Sequence, residues 1–301
     1  MQLRLLEYYV VLAREKHFAR AAAACNVTQP ALSAGLVALE GLLGKRLVER
    51  DRRFIALTAD GAAILPWAQQ IVAMLDGLHH AADATAGTLR GDLRLGAIPA
   101  SMPVVGLLVQ TVRAGHPDLT VSVRSLTSRE IERGLAAFEL DAGVTYLDHE
   151  PPAQVVSVPL YSERAIFLTR AGGHGDGVSE IPLGDAVSQP LCLLHEGMQN
   201  RRILDAHLAA RGLAVHPCAT ADSYVALVAM VESGAHASIV PDAYASLLPT
   251  ERWARVIPFD IPLPPSRIGL IVSDRSPISQ LPKATVLAAR NLVLPPSFSR
   301  E

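Results

Sequence analysis

The chain lacks most of the features that would place it in a chemical class at once. It has 3 cysteines in 301 residues. Cys25, Cys192 and Cys218 lie far apart and form no CxxC pair, which excludes a disulfide framework or a cysteine-built metal module and leaves free thiols as the default. Half of the residues are hydrophobic and the mean hydropathy is +0.27. Even so, no run of about 18 uncharged apolar residues occurs, so no membrane span and no membrane partner is expected. The opening stretch carries Arg4, Glu7, Arg14, Glu15 and Lys16 where a secretion signal would be apolar, which predicts a cytoplasmic protein. No GxSxG elbow and no phosphate-binding loop is present. The glycines of 172–177 (GGHGDG) have no helix at dinucleotide-binding spacing after them. His79, His80, His195, His207 and His216 show no metal-ligand spacing. The expectation is therefore no catalytic residue, no metal site, no resident cofactor and no enzyme.

What is present is length for two or three domains and an uneven charge. Residues 1–58 hold nine Lys/Arg against five Asp/Glu, while the whole chain is at −2. A basic head on an acidic body points to a head that meets a polyanion.

Within the head, Leu3, Leu6, Val10 and Val11 form a helical stripe, and an alanine-rich helix follows over Phe18 to Cys25. Thr28 is a good N-cap, and Pro30 falls in a first turn where its missing N–H costs little. From there Leu32, Leu36, Leu39 and Leu43 mark a buried face, and Gln29, Ser33, Ala34 and Val37 mark the opposite one. Two helices joined by a tight turn, the second presenting small polar residues at its start, describe a helix-turn-helix. Leu47-Val48 and Phe54–Leu57 read as short strands around a charged turn, a wing. Arg50, Arg52 and Arg53 would then neutralise phosphates beside the reading helix, the alternative being a merely solvated turn.

The stretch from Phe18 to Gly61 resembles the N-terminal domain of the LysR-type transcriptional regulators. Gln29-Pro30-Ala31-Leu32-Ser33, Leu39-Glu40, Leu47 to Arg50, and Leu57-Thr58 with Gly61 all fall at family spacing. One departure is that Ala34 and Gly35 stand where the family commonly has Arg and a long polar residue. The resemblance implies a winged helix-turn-helix over 1–58 that binds double-stranded promoter DNA through Thr28, Gln29, Pro30, Ala31, Ser33, Arg50, Arg52 and Arg53.

Residues 59–87 keep a helical pattern. Ile64, Ala68, Ile71, Leu75, Leu78 and Ala82 step by four and three, a short heptad seam that pairs two copies or packs on its own domain. The resemblance implies the former, a dimer-forming linker helix with a hinge at 88–91 and a dimer or a dimer of dimers. RNA polymerase is a further candidate partner.

Residues 92–301 alternate strands and helices: strands at Asp92–Ala97, Leu119–Arg124, Ala142–Thr145, Glu163–Leu168, Leu191–Leu194, Ser238–Val240 and Ile268–Val272. Helices fall between them at about Val104–Arg113, Glu130–Phe138, Asn200–Ala210 and Tyr224–Glu232. This is an open α/β pattern in two lobes with a cleft. The resemblance implies a periplasmic-binding-protein-like effector domain, with lobe I at 92–162 and 268–301 and lobe II at 163–267. Three strand-to-helix junctions face the cleft: Pro99-Ala100-Ser101-Met102, Thr127-Ser128, and 195–201 with Glu196, Met198, Gln199, Asn200 and Arg201. Helix N-termini with hydroxyls bind anions, so a small anionic metabolite is the expected effector. The hydroxyls of Ser101 and Thr127 are also read as simple caps, and Arg201 or Arg202 as counter-charge or as ion-pair partner. In peroxide-sensing family members a reactive cysteine stands in a stretch similar to 193–202. Gln199 occupies that position here, so thiol sensing is not expected. A solute-binding protein shares the body but not the head.

Overall fold

The computed structural model describes residues 2–298 apart from 51–53, 85–88, 176, 251 and 296–297, with the backbone alone at 50 and 80–84. The chain divides into two compact units, Met1–Gly87 and Thr88–Glu301.

In the first unit α1 (Leu3–Glu15), α2 (Phe18–Ala24) and α3 (Gln29–Leu43) enclose one core, followed by β1 (Val48–Arg50), β2 (Phe54–Leu57) and the long α4 (Ala59–Ala84). The buried face of α1 is Leu5, Leu6, Tyr8, Tyr9 and Leu12. The stripe expected from Leu3 is offset from it, and Leu3 itself is exposed. Helical periodicity alone did not distinguish the tyrosines from a polar face, yet their rings fill the centre of this core. At the far end of α3 Leu43 is likewise exposed, where the helix reaches its Gly44 cap in the left-handed region. The α2–α3 pair bends by 96°, the angle expected of a helix-turn-helix. Among the described residues no single helix is long and apolar enough to cross a membrane.

The second unit has two lobes. In the first, β3 (Gly91–Ala97), α5 (Met102–Gly115), β4 (Leu119–Ser125), α6 (Ser128–Ala136), β5 (Ala142–Tyr146) and β6 (Val155–Glu163) are followed by the late β12 (Ser266–Ser273) and α10 (Gln280–Arg290). Their sheet has the order β4-β3-β5-β12-β6, parallel at β3 and antiparallel at β12. The second lobe holds β7 (Ala165–Arg170), α7 (Leu183–Val187), β8 (Cys192–Leu194), α8 (Gln199–Ala209), β9 (Ala219–Ala221), α9 (Tyr224–Glu232), β10 (Ser238–Pro241) and β11 (Ala254–Ile257). Its sheets are β10-β7-β11 and β8-β9, linked by a bridge at Leu191 and Ala237. Phe167, Leu191, Leu193 and Ala237 lie in its core.

The strand expected at Glu163–Leu168 is two strands. Glu163 ends β6 opposite Ser266, and after Arg164 the chain enters β7 in the other lobe. Both crossings between the lobes thus lie side by side at one end of the β6–β12 pair.

Candidate functional site

The reading helix is held in place by groups the sequence supplies locally. Thr28 caps α3, its hydroxyl accepting from Ala31 N at 3.4 Å, and Pro30 occupies the first turn. Leu32, Leu36 and Leu39 anchor the buried face. Gln29, Pro30, Ala31 and Ala34 are exposed and Ser33 is half-buried, so the polar start of the helix is free to approach a groove. Gly35 faces the other way: a Cβ on it would stand 2.6 Å from the Tyr8 ring. The long polar residue common in the family has no room where α3 crosses α1 this closely.

Glu40 joins this helix to the wing. Its buried carboxylate accepts from Leu47 N at 2.9 Å and Val48 N at 3.3 Å, fixing where β1 begins. Thr58 closes the other side, accepting from Gly61 N at 2.9 Å and donating to Arg46 O at 2.6 Å. Tyr9 donates to Gly61 O at 2.6 Å, and burial pushes its hydroxyl pKa up to about 12. β1 and β2 pair antiparallel as the wing requires. The Arg50 side chain, Arg52 and Arg53 lie outside the described residues.

The first half of the heptad seam on α4 follows the alternative in which it packs on its own domain. Ala68 is 1% exposed inside the head core, and Ile64 and Ile71 pack against that core. Their stripe faces α1, so the first half of the seam is used within the chain. Leu75 is half-buried, Leu78 is exposed, and the Ala82 side chain lies outside the described residues. The apolar groups left in the open on α4 are Trp67, Met74 and Leu78, a face turned by about 60° from the expected one.

In the second unit the three junctions differ from one another. Pro99, Ala100 and Ser101 are buried, Met102 is half-buried, and Ser101 Oγ donates to Ile98 O at 2.9 Å. Tyr244 of the second lobe donates to Pro99 O at 2.6 Å and covers this junction. Ser101 therefore presents no hydroxyl to a ligand. Thr127 forms a reciprocal capping box with Glu130, which holds the Glu130 pKa below its usual value chiefly through the Thr127 backbone N–H. Ser128 is buried and accepts from Thr145 at 3.0 Å. The cap reading holds for Thr127, and Ser128 is spent inside the lobe.

At the third junction Met198, Gln199 and Arg201 are buried while Glu196 is exposed. Of the two arginines read as counter-charge or as ion-pair partner, Arg201 is an ion-pair partner. It is 4% exposed and committed to Asp205 at 2.8 Å and Leu194 O at 3.2 Å. Its neighbour Arg202 is also engaged: it makes a two-pronged pair with Glu150 at 2.9 and 2.8 Å and donates to Gly197 O at 2.8 Å, and Arg129 approaches the same carboxylate at 3.7 Å. The hydrogen bond from Arg202 holds the Glu150 pKa down. Met198 is the N-cap of α8 and makes no side-chain bond to the first turn.

The lobes meet across this junction through groups that carried no recognisable motif. Gln199 Nε2 donates to His149 O, the His149 and His207 rings stand edge to face at 5.8 Å, and Asn200 Nδ2 donates to Tyr146 OH at 2.8 Å and Glu163 Oε1 at 3.1 Å. Gln199 and Asn200 are neighbours on α8, but the groups they meet, Tyr146, His149 and Glu163, lie 37–54 residues away in the chain, and only the fold brings them together.

Cys192 is buried with its pKa pushed to about 11, desolvation being the main cause, and it donates to Ala237 O at 3.4 Å. The Cys25 pKa is also raised by desolvation. Cys218 is exposed and donates to Leu191 O at 3.1 Å. Gln199 is buried.

Comparison with known proteins agrees with both units. Residues 3–62 match the bacterial regulatory helix-turn-helix protein, lysR family, and residues 86–291 match the LysR substrate binding domain. A probable hydrogen peroxide-inducible genes activator of Mycobacterium avium is 34% identical over 279 residues, covering 90% of this chain and 88% of the relative. The DNA-binding transcriptional dual regulator OxyR of Escherichia coli is 28% identical over 286 residues, covering 92% and 91%. The structure of full-length OxyR from Pseudomonas aeruginosa, a cysteine-to-aspartate variant, superposes with a TM-score of 0.77 at 26% identity over 97% of this chain and 99% of that one. CbnR in complex with its target DNA shares the fold, with a TM-score of 0.69 at 23% identity over 97% and 100%. The chain belongs to the LysR family of DNA-binding transcriptional regulators.

Proposed function

We propose that this regulator reads promoter DNA with the start of α3 and responds to a small molecule held between its lobes, without thiol chemistry. The observation that carries the reading is the capped, exposed start of α3 at 96° to α2. Gln29 is suited to adenine in the major groove, Thr28, Pro30, Ala31 and Ser33 border it, and Arg50, Arg52 and Arg53 reach phosphates. Residues 1–58 then form the DNA-binding part, 59–87 the pairing helix, 88–91 the hinge and 92–301 the effector part. Two or four copies assemble and RNA polymerase is a partner on the promoter, all in the cytoplasm.

For the effector, a small carboxylate or oxyanion suits the free N–H groups of α8, with Arg202 as its counter-charge once Glu150 lets go. The peroxide-inducible relatives supply the competing reading. Against it stand Gln199 in place of the reactive cysteine and the raised pKa of Cys192. Promoter footprints of reduced and peroxide-treated protein are expected to coincide. A footprint shift that Cys192→Ser or Cys218→Ser abolishes would overturn this part of the proposal and leave the DNA-binding part standing.

A further inference from the structure

Glu163 ends β6 where the chain crosses between lobes, and it is 5% exposed. Its Oε1 accepts from Tyr146 OH at 2.9 Å and Asn200 Nδ2 at 3.1 Å. Its Oε2 is buried without a partner among the described residues. Three other carboxylates of this unit have an arginine side chain as partner: Asp141 has Arg94 at 2.8 Å, Asp205 has Arg201 at 2.8 Å, and Asp148 has Arg267 at 2.6 Å. The groups that act on Glu163 are of another kind. They are Tyr146 on β5, Tyr161 on its own strand, Asn200 on α8, Tyr224 on α9, and Asp242 and Tyr244 in the turn after β10. The one charge among them has the same sign as its own.

A cavity of ≈ 30 Å³ opens beside this carboxylate. Its polar lining is Glu163, Asn200, His207 and Ser266, the rest is aliphatic, and neither Lys nor Arg contributes. His207 Nε2 is a second buried atom without a partner among the described residues. Desolvation and the neighbouring His149 lower the His207 pKa, which keeps the ring neutral near pH 7. A neutral imidazole offers an acceptor nitrogen when its other nitrogen carries the proton, and the carboxylate offers an acceptor oxygen. Two acceptors with no side-chain cation call for an occupant that carries both N–H donors and positive charge. An imidazole nitrogen is a poor ligand for hard alkali ions, which prefer oxygen, whereas an ammonium group donates to both. The volume admits one group about the size of water or ammonium.

We propose that this cavity binds a small ammonium-class cation, the ammonium ion or the protonated head of a short primary amine. Glu163 is its counter-charge, and His207 and Ser266 accept from it. Glu163 and Ser266 belong to the first lobe's sheet, while Asn200 and His207 belong to α8 of the second. Occupancy therefore favours the arrangement in which the lobes meet. This goes beyond the anion reading of the α8 terminus and does not depend on it.

Protons and the cation compete for Glu163. Burial pushes its pKa up to about 8. Between the ordinary carboxylate range and that value the folded chain holds the extra proton, so its stability falls as pH rises. A cation replaces that proton, and its effect grows through the same window. Thermal unfolding of the full-length chain in ammonium chloride is compared with equal tetramethylammonium chloride, whose cation is too large for the cavity, at pH 6.5 and 8.5. The expected result is a rise in Tm of roughly 5 °C or more at pH 8.5 once ammonium exceeds its Kd a hundredfold, with a smaller rise at pH 6.5. Glu163→Gln, which keeps the shape and an acceptor oxygen, is expected to lose both the response and its pH dependence. Ser266→Ala is expected to weaken the response at an unchanged fold. Equal Tm in the two salts at pH 8.5, or a full response retained in Glu163→Gln, overturns the proposal and identifies the cavity as a water site.

Discussion

Gly35 shows how one position decides what the reading helix can carry. It was legible only as a departure from the family pattern, because sequence shows a missing side chain but not the ring that excludes one. Tyr8 supplies that ring from α1. Gly35→Ala is expected to destabilise the protein by about 1–3 kcal/mol through overpacking, despite the better helix propensity of alanine. Denaturant unfolding checks this, and a more stable variant would mean that Tyr8 yields easily. Glu40 is the converse case. Its place beside Leu39 fits the family spacing without saying what it does, and the structure shows it satisfying two backbone N–H groups at the start of the wing. Arg201 shows how two open readings are separated: its place at a helix start suits an anion or an ion pair, and an i,i+4 aspartate and a carbonyl claim it.

At the scale of elements, the regular pieces were the legible ones. The α3 start, the wing strands and helix α9 follow from caps, prolines and periodicity, which are local. Helix α4 was legible as a helix but not in the direction it faces. A heptad seam reports that one side is apolar, and two partners compete for that side. The head core takes Ile64, Ala68 and Ile71, leaving Trp67, Met74 and Leu78 exposed. Leu78→Asp and Met74→Asp are therefore expected to shift sedimentation toward single chains while leaving the fold cooperative. Ala68→Asp is expected to unfold the head outright, since it buries an unpaired charge. If Ala68→Asp instead gave a folded single chain, the original seam would be the pairing face.

At the scale of the whole molecule, two α/β lobes with paired crossings make a body whose internal contacts join residues far apart in the chain. The Tyr146–Glu163–Asn200 cluster and the Arg202–Glu150 pair were invisible in the sequence for that reason. The exposed Arg202–Glu150 pair is worth only about 0.2–1 kcal/mol, whereas the buried cluster resists the loss of a partner far more strongly. The buried cluster joins the two lobes, and a ligand shifts a lobe arrangement only through its differential affinity for the alternatives. Shared architecture does not by itself carry the relatives' peroxide response over to this chain, because function lives in particular residues placed on a fold.

Base reading by α3 is tested by selection of bound duplexes from a randomised pool by the full-length chain and by Gln29→Ala. The expected result is a twofold-symmetric motif, its half-sites about 10 bp or a multiple apart, with preference relaxed at particular bases in the variant. Enrichment of no motif, or the same motif weakened uniformly by Gln29→Ala, would contradict base reading by this helix.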